Sequence, residues 1–269
     1  MASVTGGIVG ICAGDEVAQL EELTIGGYCS HCRKSHYLKA GKARQACLDL
    51  MTSLKLHQRI DFQVDPHHGD PLCRTDYLFG EARGKMFGAL VGRDEHGREQ
   101  TLYAYSGQYN GLWSVDGWVD PVFNPVAFVD VTLVREKEVK RLTREINLLP
   151  AQSDQRKELV QVRRQLSRQL MQEIHELYRL TNFRGTSGLL TEIFSGEKGP
   201  PTGTGDCCAP KLLQHAALNN IHPIGIAEFY WGKENVSRSR QHGFFYPSCA
   251  TKCEPILGFF LCGLENDVL

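Results

Sequence analysis

Two pairs of cysteines in the last quarter of the chain constrain the fold more than any other feature. The first pair is Cys207 and Cys208, the second is Cys249 and Cys253, and each lies where a loop is expected to run into a helix. The N-terminal end of a helix lowers the pKa of a thiol and favours the thiolate that binds metal. The sequence therefore predicts that two helix starts meet and that Cys207, Cys249 and Cys253 hold one zinc ion.

The fourth ligand of this predicted site decides its role. Water in the fourth position would make the site catalytic, whereas the thiol of Cys208 would close it and make it structural. Catalysis also needs a side chain that moves protons. The candidates are Asp206, which directly precedes the first pair, and Glu228, which lies on an expected strand beside it. A separate interpretation makes Cys208 the nucleophile of a cysteine-dependent transferase or redox protein.

A second metal site is predicted near the N-terminus. Cys29 and Cys32 have the Cys-x-x-Cys spacing of a zinc knuckle. The later loop that carries His68 and Cys73 could supply the other two ligands, and a site closed in this way would be structural. The alternative is an irregular N-terminal segment whose thiols have no partner.

Bulk composition excludes several classes of protein. The 269 residues have a formal net charge of -1, so a nucleic-acid partner would have to use a local patch. No apolar run approaches the roughly 20 residues that a membrane span needs, and the N-terminus lacks the basic stretch of a secretory signal. Ten cysteines in such a chain indicate metal ligands or reduced thiols, which predicts a cytoplasmic protein without a membrane partner.

Hydrophobic periodicity predicts an α/β fold interrupted by a helical hairpin. The expected helices span 40–56, 207–219 and 250–263, and the expected strands span 85–93, 100–106 and 223–231. We divide the chain into an N-terminal segment with the zinc knuckle and first helix (1–80), a core hairpin with a substrate loop (81–134), an inserted helical hairpin (135–182) and the segment that carries the cysteine pairs (183–269).

The inserted hairpin has the three- and four-residue spacing of a coiled-coil-like pair, broken at 150–154. Residues 135–181 hold 11 Lys and Arg against 7 Asp and Glu. A basic surplus on such a hairpin could contact a nucleic-acid backbone, and its apolar seam could join a homodimer. For so small a surplus, an ordinary solvated face is the favoured interpretation.

The first cysteine pair also carries a resemblance to a known family. Residues 207–211, Cys-Cys-Ala-Pro-Lys, are similar to the His- or Cys-Ala-Glu-Pro-Lys motif of bacterial toxin deaminases, and Tyr105-Ser106-Gly107 is similar to a turn of that family. The chain thus resembles the cytidine-deaminase-like fold, a mixed sheet with flanking helices. The resemblance implies a zinc at Cys207, Cys249 and Cys253 and a hydrolytic reaction at a nucleobase.

Two departures from that family bear on catalysis. Deaminases carry a glutamate two residues after the first ligand as general acid and base, but Ala209 and Pro210 occupy the corresponding positions here. The second pair is also spaced Cys-x-x-x-Cys, which zinc tolerates if both residues share a helix face.

Expected substrate contacts lie in the loop after the core hairpin and beside the cysteine pairs. Trp113 could stack on a base and Asn110 could bind a ring or a ribose. Ser106 and Lys211 belong to the segments that carry the resemblance, and Arg238 lies in a basic loop suited to phosphate.

A second resemblance covers most of the chain. Four segments are similar to the N-terminal extension of long-form bacterial pseudouridine synthases, namely 84–88, 200–213, 227–232 and 245–257. This resemblance implies a role in RNA modification.

These observations lead to three hypotheses. The first is a zinc-dependent hydrolase or deaminase-like enzyme acting on a nucleobase, a nucleoside or RNA. The second is a non-catalytic, zinc-stabilised module that binds RNA or protein and is associated with RNA modification. The third is a cysteine-dependent transferase or redox protein.

Overall fold

The computed structural model describes residues 23–65 and 67–264. Its seven strands and six helices follow the order β1 (Thr24–Cys29), β2 (Lys34–Lys39), α1 (Ala43–His57), β3 (Lys85–Arg93), β4 (Glu99–Tyr105), α2 (Pro125–Leu148), α3 (Asp154–Glu176), β5 (Arg179–Thr181), β6 (Ser187–Leu189), α4 (Leu190–Ile193), α5 (Cys208–Leu218), β7 (His222–Trp231) and α6 (Glu254–Phe260). The predicted α/β class is confirmed.

A three-stranded antiparallel sheet with the order β4-β3-β7 lies at the centre. Strand β3 is buried along nearly its whole length because both of its edges are paired and both of its faces are covered. Phe87, for example, is opposite Tyr105 on β4 and Phe229 on β7. A central strand covered on both faces has a continuous apolar sequence, and this pattern explains why β3 was predictable.

Helices α1 and α5 cover opposite faces of this sheet. Phe87 and Ala89 of β3 pack with α1, whereas Leu90 packs with α5 and α6, as the alternation of side chains along a strand requires. At Gly88 the helix α5 comes so close that an added Cβ would lie 2.9 Å from the Cβ of Cys208. The first turn of α5 is therefore pressed directly onto β3.

The hairpin β1–β2 packs against α6 at the other end of the described chain. Gly27 and Gly258 allow this contact, because a Cβ on either residue would lie within 2.4 Å of backbone atoms of the opposite element. The sequence predicted an irregular segment here. The structure differs because the hairpin is stabilised by its contact with α6 rather than by local strand preference.

The helical hairpin is formed by α2 and α3, but α2 begins at Pro125, so the predicted boundary at 134–135 falls inside a helix. Asn124 caps it, since its side chain accepts from the backbone N–H groups of Val126 and Ala127. The predicted homodimer contact through this hairpin stays a prediction. Among the helices of the described residues, none is long and apolar enough to cross a membrane.

Candidate functional site

Four metal-binding side chains gather where the β1–β2 hairpin meets the end of α6. They are Cys29, Cys32, His36 and Cys262, and their donor atoms all lie within 4.8 Å of one another. Cys29, His36 and Cys262 are buried, and Cys32 is partly exposed. This is a set of four donors of the kind that binds zinc tetrahedrally.

The hairpin turn positions three of the four donors. Cys29 ends β1, Cys32 lies in the turn and His36 lies on β2. The turn is closed by a hydrogen bond from the backbone N–H of Arg33 to the carbonyl of Cys29, 2.8 Å long, and Arg33 adopts a φ of 58°. Cys262 enters from the turn that follows α6, so the set joins segments far apart in the chain.

The side chains of this cluster are hydrogen-bonded to one another. The Sγ of Cys32 lies 2.9 Å from the Nε2 of His36. Burial raises the pKa of Cys32, but hydrogen bonds from Cys262, from the backbone of Lys34 and from Cys29 outweigh it, so its pKa lies below the ordinary value. Burial lowers the pKa of His36 and keeps its imidazole neutral, which is the form that binds metal.

Two of the predicted ligands of this site lie elsewhere. The thiol of Cys73 is buried against α1, where burial raises its pKa to about 12. His68 is exposed, with its ring 3.9 Å from the carboxylate of Asp65. The segment between α1 and β3 folds back on itself. The backbone N–H of Ile60, near its start, donates to the carbonyl of Cys73 at 2.9 Å. His36 and Cys262 replace the two residues that the sequence predicted.

A second group of thiols lies where the first turns of α5 and α6 meet. Cys207 is the N-cap of α5 and Cys253 is the N-cap of α6, and their thiols are hydrogen-bonded to each other. Cys249 precedes α6 in a turn, and its carbonyl accepts from the N–H of Cys253 at 2.9 Å. This bond spans four residues, as in one turn of a helix, so Cys249 lies one turn before Cys253 at the start of α6.

The sulfur atoms of Cys207, Cys249 and Cys253 are less closely gathered than the donor atoms of the first cluster. Across the described part of the chain, only Cys29, Cys32, His36 and Cys262 bring three or more donors within 4.8 Å. Zinc binding by Cys207, Cys249 and Cys253 stays a prediction.

Cys208 points away from the junction and into the core. It is fully buried, its thiol donates to the carbonyl of Met86 at 3.3 Å, and burial raises its pKa well above the usual value. A buried thiol of this kind is unreactive and is not placed to act as a fourth ligand. This environment disfavours the hypothesis that Cys208 is a nucleophile.

Both predicted proton-transfer residues are acids that burial makes harder to ionise. Glu228 caps α5 from β7, since its Oε1 accepts from the N–H of Ala209 at 2.7 Å and its Oε2 accepts from Ser248 at 3.4 Å. Burial raises the pKa of Glu228 to about 7. Asp206 accepts from the hydroxyl of Tyr178 at 2.6 Å, and burial raises its pKa as well.

Three of the predicted substrate contacts are engaged within the fold. Lys211 is buried and donates to the carbonyls of Tyr105 and Gly107 at 3.0 and 2.9 Å. The ring of Trp113 packs edge to face on aromatic rings at the start of α2. The side chain of Asn110 donates to the carbonyl of Leu72 at 3.1 Å.

The other two predicted contacts differ from each other. The backbone carbonyl of Ser106 accepts from Lys85 at 3.1 Å, which fixes the turn after β4. Arg238 is exposed in the loop after β7, and its guanidinium lies 3.6 Å from Glu234. Of the five predicted residues, Arg238 is the one whose charged group faces solvent, so it alone keeps the exposure that a phosphate contact requires.

Comparison of the chain with family models, with curated proteins and with solved structures gives no match. The two cysteine clusters therefore have to be interpreted from their own geometry.

Proposed function

We propose that this protein is a non-catalytic, zinc-stabilised module that binds RNA. The observation that carries the proposal is the closed set of Cys29, Cys32, His36 and Cys262. Four protein ligands fill the tetrahedral coordination of zinc and leave no position for water or substrate, which is the pattern of structural sites. The similarity of four segments to an extension of pseudouridine synthases supports RNA as the partner.

Zinc at this set would join the β1–β2 hairpin to the turn after α6. Thiolate and imidazole donors select zinc over the hard cations magnesium and calcium. Because a preformed site does not exist in the unfolded chain, the binding free energy of the metal adds to the stability of the fold. In this proposal the metal stabilises the fold, and residues other than its four ligands bind the RNA.

Metal analysis of purified protein tests the proposal. We expect about one zinc per chain in the wild type, none at this site in Cys262→Ser, and a thermal midpoint lower by roughly 5–10 °C in that variant, the effect of losing a few kcal/mol in a chain of this size. Cys208→Ser is the matched control, because it replaces a buried thiol outside the set and should keep its zinc. A folded wild-type protein without metal would overturn the proposal.

A second candidate function is a zinc-dependent, deaminase-like hydrolase at the α5–α6 junction. The observation in its favour is Glu228, a buried carboxyl with a pKa of about 7 beside the hydrogen-bonded thiols of Cys207 and Cys253. The antiparallel order β4-β3-β7 and the meeting of two helix starts also support it. When bound, zinc would supply an activated water. With a pKa of about 7, Glu228 is present in both protonation states near neutral pH, so it could accept a proton from that water and donate one to a leaving amino group.

Ammonia release distinguishes the two functions. The hydrolase predicts a second zinc that is lost in Cys207→Ala, together with ammonia release from cytidine, adenosine or RNA that is abolished in Glu228→Gln. A zinc content that does not change in Cys207→Ala, with no ammonia above background, would rule out the hydrolase and leave the binding module.

A further inference from the structure

An open groove lies on the face of the central sheet opposite Glu228. Side chains alternate along β7, so Glu228 faces α5 while Trp231 faces α1. The groove has a volume of 410 Å³ and runs between the end of α1, the turn at 76–79 and the loop after β7. This size is within the range of small-ligand sites.

Three aromatic side chains form its walls and floor, and we call it the aromatic groove. Trp231 is only 7 % exposed and forms the floor, with the ring of His242 centred 4.2 Å away. Phe79 is 46 % exposed, and its ring lies 5.3 Å from that of His242. The rings of Phe79 and His242 meet edge to face at 61°, so the exposed ring of Phe79 offers the flat surface on which a planar ring can stack.

Polar groups beside these rings have fixed hydrogen-bonding roles. The Nδ1 of His242 accepts from the N–H of Gly232 at 3.0 Å, so the neutral ring carries its proton on Nε2 and can donate from there. Gln58 and Asp76 also line the groove and are exposed. A mixture of donors and acceptors next to stacking surfaces matches the edge of a nucleobase.

Lys55 is the basic residue that lines the aromatic groove, and the acid Asp76 lines it as well. The loop that supplies His242 also carries Lys233, Arg238 and Arg240 with one acid, Glu234, which lies 3.6 Å from Arg238. The same loop is tied to the turn that holds Phe79, because the N–H of Lys233 bonds the carbonyl of Leu78 at 2.9 Å. Positive charge beside a stacking surface is the combination that binds single-stranded nucleic acid.

We infer that the aromatic groove binds a nucleobase, with the base stacked on Phe79, its edge hydrogen-bonded by the Nε2–H of His242, and its phosphate contacted by Lys55 and the basic loop. The base comes from a single-stranded RNA or from a free nucleotide. The choice of RNA as the polymer that carries the base rests on the proposed function. Binding at the groove does not depend on the zinc site.

Two probes distinguish the sources of the base. One is a fluorescein-labelled, mixed-sequence RNA of 12 nucleotides followed by anisotropy, and the other is a series of nucleoside monophosphates followed by calorimetry. Loss of one stacked base costs about 1–3 kcal/mol, so we expect Phe79→Ala to weaken binding by roughly 5- to 150-fold. Lys55→Ala should weaken binding and reduce its dependence on salt.

Leu72→Ala is the matched control, since it removes an exposed apolar side chain from the neighbouring turn at 71–73. It should leave the affinity unchanged within about twofold. Binding of RNA alone identifies the polymer as the ligand, and binding of monophosphates alone identifies the free nucleotide. Equal affinities of wild type and Phe79→Ala, or no binding of either probe, would overturn the inference.

The zinc content and thermal midpoint of each variant keep this test separate from that of the metal site. RNA binding that is equal in wild type and Phe79→Ala contradicts the aromatic groove alone, whereas a zinc-loaded protein that binds neither probe contradicts the proposed RNA binding as well. A metal-free protein whose RNA binding depends on Phe79 contradicts the zinc site alone.

Discussion

Two ionisable side chains are buried at the first turn of α5, Glu228 from β7 and Lys211 from the helix itself. Cys207 does not cap this helix with its side chain, and Glu228 supplies the acceptor for Ala209 from across the sheet. Lys211 secures the turn after β4 through two carbonyls. Burying each of these polar groups costs free energy, and the hydrogen bonds that each group makes offset that cost. At this junction, polar contacts add to the apolar packing of α5 on β3 in fixing how helix, strand and turn meet.

The ionisation of Glu228 makes stability depend on pH. Burial raises its pKa from 4.5 to about 7, and the N–H of Ala209, Ser248 and the charge of Arg240 oppose that rise. Between these two values the folded protein keeps a proton that the unfolded chain has lost. The free energy of unfolding therefore falls by up to about 3 kcal/mol as the pH rises through this window. Above pH 7 it levels off.

Glu228→Gln removes this dependence, since glutamine stays neutral and can still accept from Ala209. We expect the difference in unfolding free energy between wild type and Glu228→Gln to fall by up to about 3 kcal/mol from pH 5 to pH 8. Urea denaturation of both proteins at the two pH values measures it. The pKa of Cys208 is raised well above its usual value by burial and by Glu228, and that of Cys253 by its hydrogen bond with Cys207, by burial and by Glu228, so both thiols stay protonated from pH 5 to pH 8 and do not contribute to the difference. Parallel pH profiles would contradict the prediction.

The elements that the sequence predicted well are those with a strong local pattern. Strand β3 spans Lys85–Arg93 as expected from its apolar run, and β4, β7 and α5 lie within a residue or so of their expected bounds. The hairpin β1–β2 could not be predicted in this way, because the glycines of Thr24–Cys29 are poor strand formers and serve instead to let α6 approach.

The candidate sites were predictable only in part for a related reason. Spacing in the sequence identified Cys29 and Cys32, and His36 follows Cys32 by four residues, a signal that could have completed three of the four donors. Cys262 joins them only through the packing of α6 on the hairpin. The aromatic groove likewise combines Phe79 and His242, two residues that only the tertiary fold brings together.

At the scale of the whole molecule, the metal cluster joins one end of the described chain to the other. The β1–β2 hairpin lies against α6, His31 packs edge to face on Phe259 at 5.1 Å, and Cys262 shares the cluster with Cys29. The β1–β2 hairpin touches the sheet through β2 on β7, whereas β3 and β4 are paired within the sheet and α2 packs on α3. Loss of zinc should therefore loosen one region rather than the entire fold.

Hydrogen exchange after chelation measures this localisation. We expect EDTA to raise amide exchange at residues 24–39 and 254–262, while β3, β4 and α3 keep their protection, because the proposed zinc would stabilise the fold through the four donors alone. Cys262→Ser, which lacks a ligand, should already exchange fast in those segments and should not respond to EDTA. Exchange that rises evenly across the central sheet would mean that the zinc supports global folding, and unchanged exchange would mean that no metal joins the hairpin to α6.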